Sequence, residues 1–235
     1  MERDTITWKG RLGPFDLKVG RDTFRPSTVS QLLADAMEIE KDSVVVDAGC
    51  GSGVLSIIAA KLGARHVYGV DAANETAEVA GENAAALGVA ERTTFFQGDL
   101  FEPLPDRLEA DVVIGDVSGI PDEIARESGW FPSGLTGGPT GAELPARMLN
   151  EARRMLRKGG RIFLPTGSLQ DEGSILDTAR AAFGSIRQLS ERSIPLPSAL
   201  AEQPAVVQMV KDKVIDLTQR GSRFLWTARV WEVTA

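Results

Sequence analysis

The stretch from Ser43 to Leu62, SVVVDAGCGSGVLSIIAAKL, constrains the fold more than any other part of this chain. Ser43 to Asp47 holds three consecutive valines, which reads as a strand buried on both faces, because a half-exposed strand would alternate apolar and polar residues. Val54 to Leu62 reads as an apolar helix closed by Gly63. Between them stand Gly49, Gly51 and Gly53, one at every second position. Glycine permits positive φ and close backbone approach, so this turn can wrap a ligand at the amino end of the following helix.

The rest of the chain repeats the alternation. His66 to Asp71 (HVYGVD) reads as a second strand, and Asn74 to Leu87, Ala-rich and stopped by Gly88, as a second helix. Thr93 to Gln97 and Asp111 to Asp116 (DVVIGD) read as the third and fourth strands. Val117 to Gly141 is Gly- and Pro-rich and reads as a long loop, followed by a helix over Glu143 to Leu156 and a fifth strand over Arg161 to Pro165. Phe224 to Val233 alternates as a strand, expected to be antiparallel and to end the sheet. Strands alternating with helices predict a doubly wound α/β fold with a mostly parallel sheet and an antiparallel C-terminal strand. One domain is expected over 1–235, with a lid over 1–40 and the α/β core over 41–235.

Three acids stand near the glycines. A dinucleotide turn needs glycine where this chain has Val54, so nicotinamide cofactors are disfavoured. Asp47, at the end of the first strand, would suit an ammonium better than a pyrophosphate. Asp71 ends the next strand 20 residues after Gly51, where an acid accepts bonds from ribose hydroxyls. Asp99, in QGDL, follows the third strand and stands where an adenine amino group would be met. Each acid alone is an ordinary strand-end or cap residue; three in order around a Gly-x-Gly-x-Gly turn define a ligand site.

These residues resemble the class I S-adenosylmethionine (SAM)-dependent methyltransferases, over about Phe24 to Pro165. The resemblance implies a Rossmann-like methyltransferase fold with SAM as cofactor. It implies that Gly49, Cys50, Gly51 and Gly53 hold the methionine part, Asp71 with Ala72 the ribose, and Asp99 with Leu100 the adenine. TFRPSTVSQLLADAM is similar to the segment before the core in release-factor glutamine methyltransferases, where a short aromatic-x-Pro stretch closes over the cofactor. It places Phe24 and Thr28 on the cofactor and Arg21 towards the substrate. DVVIGDVSGIP lines up with the same enzymes, but Asp116, Val117, Ser118 and Gly119 replace their Asn-Pro-Pro-Tyr. GVLSIIAAKLGARHVYGVD also resembles protein arginine methyltransferases, whose acidic loop would begin at Asp116. Its second acid has no match, since Ala125 stands there, and Glu123 and Glu127 are the nearest carboxylates.

The chemistry implied is an in-line displacement on a sulfonium methyl, in which the protein aligns the nucleophile and excludes water. Asp116, at the end of the fourth strand, orients a nitrogen and takes its proton, with Glu123 and Glu127 as further candidates. Asp rather than Asn favours a donor-rich or cationic nitrogen, an amine or guanidine, over a neutral amide. The acceptor is expected to be a small molecule or an amino-acid side chain. Trp130 and Phe131, in the long loop, are candidates to clamp an aromatic or cationic substrate. O-methylation, and a noncatalytic subunit that binds a partner protein, remain as alternatives.

Composition removes other classes. One histidine, His66, and one cysteine, Cys50, leave no set for zinc or for a Ser-His-Asp triad, so no metal is expected. The lone cysteine also fits a reducing cytosol, and a cytoplasmic location is expected. With 26 basic against 33 acidic residues the net charge is −7, which repels a polyanion, and no nucleic-acid partner is expected. The densest basic group, Arg153 to Arg161, follows a helix, where cations favour the dipole. No apolar run approaches the ~20 residues of a membrane span, and the charged opening Met1-Glu2-Arg3-Asp4 has no signal-peptide pattern. Apolar sheet edges and the C-terminal strand are compatible with a homodimer.

Overall fold

The computed structural model describes residues 3–130 and 134–235. A hairpin of β1 (Asp4–Trp8) and β2 (Phe15–Val19) precedes α1 (Thr28–Ala36). Then follow β3 (Val44–Ala48), α2 (Val54–Leu62), β4 (His66–Asp71), α3 (Thr76–Ala86), β5 (Thr93–Gln97) and β6 (Ala110–Gly115). After α4 (Asp122–Ser128) and α5 (Glu143–Ala152) come β7 (Leu156–Gly167), α6 (Glu172–Ala182) and β8 (Ser185–Leu196). Two short helices, α7 (Ser198–Ala201) and α8 (Pro204–Lys211), lead to β9 (Thr218–Arg220) and β10 (Arg223–Thr234).

The main sheet runs β5-β4-β3-β6-β7-β10-β8, with β9 paired to β10. β3, β4, β5, β6 and β7 are mutually parallel, and β10 is antiparallel to both β7 and β8. The valines of β3 explain its central place: every position is buried, and alternate side chains feed opposite cores. Val45 joins Leu33, Ile57, Ile58 and Val112 on one face, with α1, α2 and the hairpin residues Trp8 and Leu17. Val46 joins Val113, Met148, Leu149, Ile162 and Ile175 on the other, with α5 and α6. A third cluster, including Ile124, Leu169, Leu200, Val206 and Ile215, ties α4, α7 and α8 together.

Strand order reverses between β3 and β6, because the chain leaves β3 towards β4 and β5 and returns on the other side. A crevice opens at such a reversal beyond the carboxyl ends of the strands. Three elements depart from the sequence reading. The helix expected over Glu143 to Leu156 ends at Ala152, and Leu156 opens a longer β7, which runs to Gly167. The stretch expected as one loop contains α4, capped by Gly129 in a left-handed conformation. The C-terminal strand is antiparallel but lies inside the sheet, and the edge is β8, whose polar, mostly exposed SIRQLSERSIPL gives no apolar alternation. Charged edges of this kind discourage pairing with other chains.

Candidate active site

The crevice is a cavity of about 1070 Å³, bordered by the segments after β3, β4 and β6, by residues 19–30, and by Thr166, Gln170, Ile194, Pro195 and Trp226 from the other half of the sheet. The glycine turn forms one wall. Gly49, Gly51 and Gly53 all have positive φ. A Cβ on Gly49 would stand 2.6 Å from the carbonyl oxygen of Asp116, so the turn and the end of β6 touch only because that side chain is missing. Gly49 N–H and Cys50 N–H both donate to Val70 O, at 2.8 and 3.0 Å, which locks the turn onto β4.

Asp71 lines the cavity. Its Oδ2 accepts from Gly51 N–H and its Oδ1 from Ala73 N–H, both at 2.9 Å. Burial raises its pKa, and the two backbone N–H groups oppose that shift. A carboxylate offers about four lone-pair sites, so these two bonds leave acceptor capacity on a residue that lines the cavity. Ala72 and Leu100 line the cavity beside it, and so does Asp99. Asp99 is exposed and pairs with Arg147 of α5 at 2.5 and 2.8 Å. Cys50 is buried, and burial holds its thiol well above the usual range, so it stands in the turn as a small neutral group.

Asp116 follows β6 and lines the cavity where it meets the glycine turn. Its Oδ2 accepts from Ser30 Oγ–H at 3.0 Å, which ties it to α1. Burial lifts its carboxyl to about 6, with the Ser30 bond acting in the opposite sense. Arg21, Phe24, Thr28 and Trp130 also line the cavity.

Four expected residues lie elsewhere. Asp47 is fully buried, does not line the cavity, and accepts from Ser56 Oγ–H at 2.6 Å, joining β3 to α2; burial pushes it up to about 7. An ammonium in the cavity does not reach it. Gly53 packs away from the cavity, where a Cβ would come within 2.9 Å of Ala80 Cβ, so its missing side chain serves the seating of α2 on α3. Glu123 turns outward into a pair with Arg126 at 2.7 Å, and Glu127 is exposed on the same short helix; neither borders the cavity. α4 presents its apolar Ile124 inward, which forces those carboxylates to the outer side. Phe131 lies outside the described residues.

Several cavity residues carry no local sequence signal. Ser30 is one; its only hint is the Ser27–Ser30 capping box of α1. Gln170, between β7 and α6, is buried and lines the cavity. Asn83 stitches the wall together, donating from Nδ2 to Lys18 O and Ser52 O and accepting from Lys18 N–H. Among the described residues no cluster of three or more His, Cys, Asp or Glu side chains is placed to hold a metal, and no helix is long and apolar enough to cross a membrane.

Residues 25–119 match the family model of ribosomal protein L11 methyltransferase (PrmA). A Methanocaldococcus jannaschii protein, provisionally named a protein N5-glutamine methyltransferase, is 31% identical over 157 residues, covering 66% of this chain and 78% of that protein. The release factor glutamine methyltransferase of Moorella thermoacetica is 31% identical over 179 residues, covering 71% of this chain but only 62% of that enzyme. Among solved structures, the T. thermophilus 16S rRNA N2 G1207 methyltransferase, determined with AdoMet and guanosine, shares the fold with a TM-score of 0.65 at 14% identity, over 99% of this chain and 50% of that one. This chain belongs to the class I SAM-dependent methyltransferases, and SAM is its cofactor. The cavity fits that group in size, in the bare backbone of its glycine turn, and in the acceptor atoms of Asp71. Ser52 Oγ and Thr23 Oγ1 on the same wall are buried without a protein partner, as polar ligand contacts would be.

Proposed function

We propose that this protein methylates a side-chain nitrogen of an amino acid, and that Asp116 orients that nitrogen. The observation that carries the reading is the Asp116 carboxyl itself. It lies on the cavity wall against the glycine turn, with one oxygen fixed by Ser30 and the other open to a donor. The names of the sequence relatives, which describe glutamine methyltransferases, support an amino-acid acceptor. In this reading Gly49, Cys50 and Gly51 hold the methionine part, Asp71 with Ala72 the ribose, and Asp99 with Leu100 the adenine. Residues 20–30, with Arg21, Phe24 and Thr28, cover the cofactor.

When bound, SAM supplies a methyl group on a sulfonium leaving group. The chain supplies alignment. Asp116 Oδ1 accepts an N–H of the acceptor, which turns the nitrogen lone pair towards the methyl group, and fixed geometry of this kind is worth about 7–11 kcal/mol in aligned reactions. The nitrogen becomes more acidic as its new bond forms. A carboxylate lifted to about 6 is well matched to take the released proton near neutral pH.

The test pairs two readouts on one variant. Asp116→Asn is expected to lower transfer of labelled methyl to a panel of Gln-, Asn-, Lys- and Arg-containing peptides by about 10²-fold or more. The affinity for S-adenosylhomocysteine, followed by calorimetry, should stay within about twofold, since Asp116 lies outside the atoms assigned to the cofactor. Label recovered as a methyl ester, or an unchanged rate in Asp116→Asn, would refute the proposal.

A further inference from the structure

The C-terminal half of the sheet gives the cavity a wall of a different kind. Pro165, Thr166, Ile194, Pro195 and Trp226 border the cavity there, and so does Val29 of α1. Trp226 of β10 stands directly opposite Ile194 of β8. Cross-strand partners share one face of a sheet. Both side chains are half-buried, and with Val29 they pack against the same core. The Trp226 ring rests on bare backbone, since a Cβ on Gly167 would stand 2.7 Å from its Cζ3. The two prolines bring no N–H to this wall. Thr166, its one polar residue, is turned to its own neighbours: Oγ1 donates to Glu172 Oε1 at 2.6 Å and accepts from Trp231 Nε1–H at 2.8 Å.

This wall is tied to Asp116 through α1. That helix packs against β8 and β10, and its Ser30 hydroxyl reaches Asp116 at 3.0 Å. In the sheet, Ile114 of β6 pairs with Phe163 of β7, and Gly167 of β7 with Ala228 of β10. Neighbouring strands lie ~4.8 Å apart, so β10 stands two spacings, about 10 Å, from β6. The cavity, at about 1070 Å³, has room for more than the cofactor. Apolar side chains left half-exposed on the wall of such a cavity are surface that a ligand covers. Resting on the role of Asp116 proposed above, we infer that Trp226 and Ile194 form an apolar subsite for the acceptor polypeptide. It takes an aromatic or branched aliphatic side chain within two residues of the one that is methylated. The spacing suits that occupant, because an extended chain advances about 3.3–3.6 Å per residue. Trp226 supplies a large fixed face against which a second ring gains offset or edge contacts.

The experiment uses the full chain, isotope-labelled and saturated with S-adenosylhomocysteine. It is titrated with benzyl alcohol or with tetramethylammonium, and the Trp226 indole N–H resonance, assigned by its loss in Trp226→Phe, reports the contact. Benzyl alcohol is expected to shift that resonance saturably and to bind at least about tenfold more tightly than the cation. Ile194→Asn, at a half-buried position of the edge strand, should weaken benzyl alcohol about tenfold while S-adenosylhomocysteine binds as before. In the peptide assay above, Phe in place of Gly beside the methylated residue should lower KM about tenfold in the wild type with kcat unchanged, as uniform binding does. Ile194→Asn should abolish that preference. An indole resonance that benzyl alcohol does not move, a cation that titrates as tightly, or a preference for Phe that survives Ile194→Asn would overturn the inference. Benzyl alcohol binding does not involve Asp116. An unchanged rate in Asp116→Asn would therefore strike the parent reading alone, and the two failures are distinguishable.

Discussion

The two ends of the cavity hold their carboxylates in opposite ways. At the end proposed for the cofactor, Asp71 is fixed by main chain: both oxygens accept backbone N–H groups from residues 51 and 73, in turns set by β3 and β4. At the end proposed for the acceptor, Asp116 has one side-chain bond among the described residues, from Ser30 on α1, and burial leaves it near 6. A main-chain cage preorganises a charge with little dependence on the identity of neighbouring side chains. A carboxylate held by one hydroxyl can be retuned by one substitution. The difference suits a cavity with a constant ligand at one end and a variable acceptor at the other.

The largest effect that would test this contrast on cofactor binding is Asp71→Ala. Hydrogen bonds to a charged partner contribute about 1.5–3 kcal/mol each, so S-adenosylhomocysteine affinity should fall about 10–100-fold. The same calorimetric titration on Asp116→Ala should change little. Comparable losses in both variants would mean that the cavity is not divided as described.

That division also explains what was legible in the chain. The cofactor end is encoded within one short window, Val44 to Asp71, where three valines, three glycines and a terminal acid occur at fixed spacing. Asp99 and Asp116 follow the same logic, each just beyond a readable strand. Other lining residues, Ser30, Ser118, Gln170 and Trp226, are far apart in sequence and border one cavity only once the sheet is formed. No local pattern marks such residues. Asp47 and Gly53 illustrate a subtler limit: the motif identified them, but which side of the turn each faces depends on the seating of α2. Spacing points to Ala125, with Glu123 and Glu127 only the nearest carboxylates, and a helix in place of a loop turns them outward.

A smaller effect separates packing from binding within the glycine turn. Gly49→Ala would force a Cβ to within 2.6 Å of the Asp116 carbonyl oxygen at a φ of 78°. Strain and overpacking of this kind cost about 1–3 kcal/mol, measurable as a lowered denaturant midpoint. Gly51→Ala is the control, since its Cβ would have only Phe24 O at 3.5 Å. It should be less destabilised yet still impaired in cofactor binding, because that Cβ intrudes on the cavity wall.

The finest probe of the acceptor end is Ser30→Ala, which removes the one bond to Asp116 and with it the influence that holds the Asp116 pKa down. In the proposed mechanism catalysis requires the ionised carboxylate, so wild-type kcat/KM should climb as pH rises through about 6 and then level off. In Ser30→Ala the climb should move to higher pH by about one unit, given 1.36 kcal/mol per unit and a hydrogen bond to a charged group. The stability linkage has the opposite sense. The folded state holds the Asp116 proton more tightly than the unfolded state, whose carboxyl titrates near 3.8. The favourable contribution of the protonated form is therefore fully present below that value and is lost as pH rises through about 6. Ser30→Ala should extend that loss to higher pH, so denaturant unfolding at pH 5 and pH 7 should differ more for the variant than for the wild type. A pH–rate profile unmoved by Ser30→Ala would show that Asp116 is fixed by something other than α1, and the contrast between a rigid cofactor end and a tunable acceptor end would fail.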